Sequence, residues 1–270
     1  MSASLAASAL FRVDGIVAAI TGGGTGKSSA SLLRLFSRLT AKVGIGLIMA
    51  KALAANGAKK VYILGRRLEV LETAAKETPG LVPVQCDVTS KDSIQAAVDK
   101  IASDTGYVHL LIANSGVMGP PASWGADKSI PEMRRSLFTD NSIEDFTEAY
   151  RVNVAGALFT MAAFLELLDA GNKNALAGGY GGGAAAPGGA VPAIQSQVII
   201  TSSIAAFVRG GSTPPSYGGS KAAIMQIAKQ ASSQLAPHGI RVNAFAPGCK
   251  CSSGACVARV PDHLCLSRES

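Results

Sequence analysis

At 270 residues the chain has the length of one domain, and 48% hydrophobic against 16% charged residues excludes general disorder. The formal net charge is +7, but Lys27, Arg34, Arg38 and Lys42 contribute four of it without a neighbouring acid. The rest of the body is too nearly neutral for a nucleic-acid-binding surface. No apolar run approaches the roughly 18 residues of a membrane span, so no membrane partner is expected.

In chain order, GIVAAIT (15–21) predicts a buried strand followed by glycines. GLIMAKALAANG (46–57) predicts a helix stopped by Gly57. A strand over 61–64, a helix over 68–77, a strand over 81–88 and a helix over 91–104 follow. VHLLIANSG (108–116) predicts a strand running into a loop. Residues 142–169 have the periodicity of one long helix capped by Ser142 or Asn141. A strand over 197–203, a helix over 216–236 and a strand over 240–248 complete the series. Strands and helices alternate, and most strands are unbroken apolar runs. That pattern predicts an α/β fold: a doubly wound parallel sheet in three α/β/α layers, within a single domain spanning 1–270.

Three segments stand apart. Residues 171–195 are Gly/Ala-rich and are expected to form a mobile surface loop. Residues 27–44 interrupt the first glycine loop and have the spacing of a short basic amphipathic helix. The tail, 249–270, carries Cys249, Cys251, Cys256, His263 and Cys265 without paired CxxC spacing, so no metal site is expected. Cys86 is the only thiol before that tail, which suits a reducing, cytoplasmic setting. The first 15 residues lack the basic start and apolar core of a signal peptide.

TGGGTGKSS (21–29) is a near miss for a phosphate-binding P-loop, because Thr21 stands where the first glycine belongs. An NTPase is therefore the third-ranked reading. With 27–44 set aside, TGGGTG runs directly into IGLIMAKAL, and strand, glycine turn and helix follow as in a dinucleotide-binding unit. Asp87-Val88, ANSG (113–116), Asn153, TSS (201–203), YGGSK (217–221) and APG (246–248) then come in one order. Together these motifs resemble the short-chain dehydrogenase/reductase family in its single-domain form, over about residues 10–248 less the insertion.

The resemblance implies a carbonyl/alcohol oxidoreductase with a small-molecule substrate, and the family often forms homo-oligomers. It implies Tyr217 as proton donor and acceptor, Lys221 as its neighbour and holder of the nicotinamide ribose, Ser203 as the group that binds the substrate oxygen, and Asn153 as anchor of a proton-relaying water. Tyr217 and Lys221 are four residues apart, so on a helix they share a face. A neighbouring ammonium favours a phenolate over its usual value near ~10. Ser203 stands one residue further from Tyr217 than the family pattern expects, which keeps Ser202 as the alternative. Without the surrounding motifs, Tyr217 and Lys221 would read as helix surface, Ser203 as a cap and Asn153 as a core amide.

For the cofactor, the resemblance implies Gly22, Gly26, Ile45 and Gly46 at the pyrophosphate, Asp87 and Val88 at the adenine, Asn114 to Gly116 beneath it, and Pro247 and Gly248 near the nicotinamide. The second strand is followed by Gly65-Arg66-Arg67 rather than by an acid. A guanidinium suits a 2′-phosphate, so Arg66 favours NADP(H) over NAD(H). The Met118–Asp140 loop, with Trp124, is expected to border the pocket.

The family's substrate-covering segment and last strand have no counterpart in 249–270, so that strand is expected to be missing and activity to be reduced. Gly26-Lys27-Ser28 and Cys249-Lys250-Cys251 can both be encoded by codons containing GTAAGT, a common intron start. The alternative reading is thus a catalytically impaired dinucleotide-binding remnant from an incompletely spliced transcript.

Overall fold

The strands are short apolar runs because the sheet is covered on both faces. In the computed structural model, which describes residues 13–24, 44–209 and 213–248, six parallel strands lie in the order β3-β2-β1-β4-β5-β6. They are β1 (Val17–Thr21), β2 (Lys60–Gly65), β3 (Leu81–Gln85), β4 (Leu110–Ala113), β5 (Gln197–Thr201) and β6 (Arg241–Phe245). β1 pairs with β2 from Val17↔Lys60 to Thr21↔Leu64, and with β4 from Ala18↔Leu110 to Ile20↔Ile112. The chain builds outward from β1 in one direction and then from β4 in the other. The crevice between their C-terminal ends is where ligands bind in such sheets.

Side-chain alternation divides the core in two. Ala18, Ile20, Val61, Ile63, Leu110 and Ile112 face one side, beneath helices α1 (Ile45–Ala55) and α2 (Leu68–Glu77). Val17, Ala19, Tyr62, Leu64, Leu111, Val198 and Ile200 face the other. There they meet α3 (Lys91–Asp104), α6 (Ala157–Ala163), α7 (Leu165–Leu176) and α8 (Pro215–Leu235). Every residue of β1 is buried, and burying one large aliphatic side chain stabilises by about 1.5–3 kcal/mol.

The bounds of α2 and α3 coincide with the expected ones; Ser90 caps α3 by accepting the Ser93 N–H at 3.2 Å. The long helix expected over 142–169 does not form as one piece. Ser142 caps α5 (Ile143–Tyr150), which passes through a π-helical segment, Arg151–Gly156, into α6. The axis then bends by 46° before α7. Phe164 sits at the bend with φ −89° and ψ 0°, fully buried, and Thr160 Oγ1 donates back to Gly156 O at 2.7 Å.

Two expected loops are partly helical. α7 continues to Leu176, so residues 171–176 of the Gly/Ala-rich stretch are not loop. A Cβ at Gly171 would collide with Val108 O, so glycine lets the helix lie directly against the sheet. Asn172 ties it down, donating to Gly239 O at 2.9 Å and accepting the Ser196 N–H at 2.7 Å. Within Met118–Asp140, Ser129 and Glu132 form a reciprocal capping box that opens α4 (Ile130–Arg134), followed by a π turn, Arg135–Thr139. The helix expected within 27–44 and the tail from 249 lie outside the described residues.

Candidate active site

The site assembles where β1, β4 and β5 end. Thr21, the last residue of β1, accepts the N–H groups of Asn114 and Ser115 on its hydroxyl at 3.0 and 3.1 Å. Asn114 follows β4 and donates its side-chain amide to Thr21 O at 3.1 Å. Its oxygen accepts from the Thr201 hydroxyl, at the end of β5, at 3.2 Å. One amide therefore joins three strand ends. Gly22 turns away from β1 at φ +69°, a conformation that favours glycine, and donates its N–H to Leu64 O at 2.9 Å. Gly46, in the first turn of α1, comes so close that a Cβ would sit 2.5 Å from Gly22 O and 2.6 Å from Asn114 Nδ2. Both glycines therefore bring backbone to the N-terminus of α1, and this glycine cradle suits a pyrophosphate. Ile45 begins α1 and is half exposed. Gly26 lies outside the described residues.

The neighbouring strand ends supply charge. Arg66 follows β2 and is exposed. Asp87 lies beyond β3, where partial burial would raise its carboxyl. The Thr89 backbone and hydroxyl, 2.9 and 2.8 Å away, together with Arg66 and Arg151, instead hold it below the usual carboxylate range. Val88 packs on the π segment at Gly156, where a Cβ would meet it at 3.0 Å.

On the other side, Pro215 starts α8 and places Tyr217 in its first turn and Lys221 one turn later. Lys221 is buried, and its Nζ donates to Thr201 O at 2.8 Å. Burial pushes this amine down to about 8. The amine lies 5.8 Å from the centre of the Tyr217 ring. The four-residue spacing thus brings phenol and amine to one face, with Tyr217 partly exposed.

The two serines part. Ser202 Oγ donates to Lys221 O at 2.8 Å and is committed to holding α8. Ser203 opens the 3-10 turn Ile204–Ala206, its Oγ accepting the Ala205 N–H at 3.1 Å. Beside it, Pro247 O accepts the Ile204 N–H at 3.1 Å, and Gly248 packs near the Ile204 side chain. Asn153 is buried in the π segment. Its Oδ1 accepts the Val117 N–H at 2.8 Å, while Nδ2 donates to Val117 O and to Ser220 Oγ, both at 2.9 Å. It clamps the loop after β4 to α8. A Cβ on Gly116 would stand 3.1 Å from Asn153 Oδ1 and 3.3 Å from Lys221 Nζ, so glycine keeps these groups open to one another.

Sequence reasoning passed over Thr21, Thr201 and Ser220, which position the rest. Each stood within a quoted motif, as the Thr of TGGGTG, the Thr of TSS and the Ser of YGGSK. Among the described residues no single helix is long and apolar enough to cross a membrane.

Known proteins resemble this chain in sequence and fold. The sequence pattern of the family described as short chain dehydrogenase matches residues 39–176 and 190–254. Short-chain dehydrogenase/reductase SAT3 of Stachybotrys chartarum is 58% identical over 201 residues, covering 74% of this chain and 73% of the relative. Short-chain dehydrogenase/reductase PhomF of Diaporthe leptostromiformis is 42% identical over 250 residues, covering 91% and 73%. The crystal structure of a short-chain type dehydrogenase/reductase from Mycobacterium marinum superposes with a TM-score of 0.64 at 25% identity, over 88% of this chain and 76% of the other. The chain belongs to the short-chain dehydrogenase/reductase family, oxidoreductases that work with NAD(P).

Proposed function

We propose that the protein is an NADP(H)-dependent oxidoreductase that interconverts a carbonyl and an alcohol on a small molecule, with Tyr217, Lys221, Ser203 and Asn153 as its working set. The nicotinamide would supply or accept the hydride. The observation that carries the reading is the buried Lys221 amine beside the Tyr217 ring, fixed by Thr201 O at the strand ends that also bear the glycine cradle.

Tyr217 gives a proton to the substrate oxygen in reduction and removes it in oxidation. Lys221, one turn along the same helix face, holds its amine beside the ring that carries this proton. Ser203 hydrogen-bonds the oxygen on which charge develops. Asn153 keeps Val117 and α8 in register, so it positions Gly116 and Lys221. Gly22 and Gly46 let the pyrophosphate approach the backbone at the start of α1, Asp87 and Val88 flank the adenine, Asn114 to Gly116 underlie the cofactor, and Pro247 and Gly248 border the nicotinamide. Arg66 supports the preference for NADP(H), because β2 is followed by no acid to accept from a ribose hydroxyl. Cytoplasmic action is proposed on Cys86, the one buried thiol of the body.

Carbonyl reduction monitored at the nicotinamide absorbance, with NADPH binding titrated in parallel, tests the assignment. Tyr217→Phe is expected to lower kcat by about 10²–10⁴-fold and leave NADPH affinity nearly unchanged. Turnover retained in that variant would overturn it. An impaired remnant predicts NADPH binding with no turnover in either protein.

A further inference from the structure

Three exposed apolar residues, Met118, Phe207 and Val208, lie in the two loops packed against the start of α8, which carries Tyr217. On one side, Val117 is clamped through Asn153 to Ser220, and Ser220 Oγ donates to Tyr217 O at 2.8 Å. Gly119 lies against Ser216, where a Cβ would touch the serine hydroxyl. Met118 stands between these two anchors in the chain and is 49% exposed. On the other side, a Cβ on Gly218 would stand 3.3 Å from Ala205 O, so the turn begun by Ser203 abuts the same end of α8. Phe207 and Val208 continue that turn and both donate N–H to Ile204 O. They are 64% and 40% exposed.

Water contact is costly for this much apolar surface, and both loops lie against the first turn of α8, which carries Tyr217. We infer that Met118, Phe207 and Val208 select the substrate, a ketone or secondary alcohol with a large uncharged apolar body rather than a short or carboxylate-bearing one. This deepens the proposed function and rests on Tyr217 being the reacting group. Covering the rim with substrate removes apolar area from both partners, at roughly fourfold in affinity for each methylene group fully covered.

The test uses the full chain with NADPH and three ketones: 2-butanone, 2-decanone and 9-oxodecanoate. The inference predicts kcat/KM for 2-decanone about 50-fold above 2-butanone, as expected if about three of its additional methylenes are fully covered, and above 9-oxodecanoate. Met118→Ser and Phe207→Ser, both at exposed positions, should each cut that ratio several-fold, with NADPH affinity held within about twofold. Equal rates for 2-decanone and 2-butanone, a preference for 9-oxodecanoate, or a ratio untouched by both substitutions would overturn it. If no ketone is turned over, ketone binding to the NADPH-loaded protein is read by nicotinamide fluorescence. Tighter binding of 2-decanone, lost in the variants, then supports the apolar rim while the reductase reading fails. Equal binding removes the rim as well.

Discussion

His109 lies where the strands begin and Lys221 where they end, and burial lowers the proton affinity of both. Their surroundings differ. His109 Nδ1 accepts the Val17 N–H at 3.1 Å, so Nε2 carries the proton toward Asn174 Oδ1, 3.2 Å away. Tyr107 and Tyr180 flank the ring at 5.1 and 5.2 Å, and Lys59 stands nearby. Both ring nitrogens are used, and the ring is enclosed. Lys221 has three donors, and Thr201 O takes one. Gly116 lies against it, and a partly exposed phenol shares its helix face. A shifted pKa alone does not mark a site; a shifted group with open valences beside conformationally special backbone does.

The comparison breaks most readily at the glycine cradle. In Gly46→Ala the new methyl meets Gly22 O and Asn114 Nδ2 at 2.5–2.6 Å, so α1 or the turn after β1 must shift. NADPH affinity is expected to fall by about 100-fold, a loss of the size expected when charge-assisted hydrogen bonds are removed, while far-ultraviolet circular dichroism stays native. Unchanged affinity would mean that the cradle holds no phosphate.

Asn153→Ala comes next. It leaves the partly buried N–H and C=O of Val117 without their amide partner, at about 1 kcal/mol each. Denaturant unfolding should show the loss. Because the side chain acts through Val117 and α8, kcat should fall more than the KM for NADPH changes; a purely structural residue would change stability alone.

Arg66→Ser sharpens the cofactor reading. The KM for NADPH should rise about 10-fold, with NADH nearly unaffected, as expected for loss of a charge-assisted phosphate contact. Equal effects on the two cofactors would assign Arg66 to Asp87 alone.

The smallest effect is expected at the closed end of the sheet. His109→Phe strands the Val17 N–H, costing about 1–3 kcal/mol at pH 7.5. The folded pKa of His109 lies below its ordinary 6.5, so the unfolded chain takes up a proton first as pH falls. The stabilisation by neutral His109 is complete above 6.5 and declines as pH drops toward the folded value. The gap between wild type and variant should therefore narrow between pH 7.5 and 5. A gap that widened would mean that the folded state binds the imidazole proton more tightly than the unfolded chain, opposite to the effect of burial.

Much of this was legible in the sequence because a strand buried on both faces leaves an unbroken apolar run. β1 and β2 could be read that way, and so could the Tyr217–Lys221 spacing, which depends only on helical geometry. The capping box of α4 was also written out, as Ser129-x-x-Glu132. What escaped depends on partners far along the chain. Nothing near Asn153 announces that its amide will close on Val117 and Ser220, 36 and 67 residues away. Ser202 and Ser203 are chemically identical, and only the approach of α8 separates them. The bend at Phe164 has no proline to signal it.

The amide of Asn114 has one further consequence. It bonds to Thr21 across 93 residues and to Thr201 across 87. Closing chain loops of that length is slow, and no local segment can form this knot early. The ligand crevice should therefore come into being only at the last stage of folding. A dinucleotide that recognises the finished crevice would then act as a thermodynamic latch, holding the chain in its completed state in proportion to the ligand concentration.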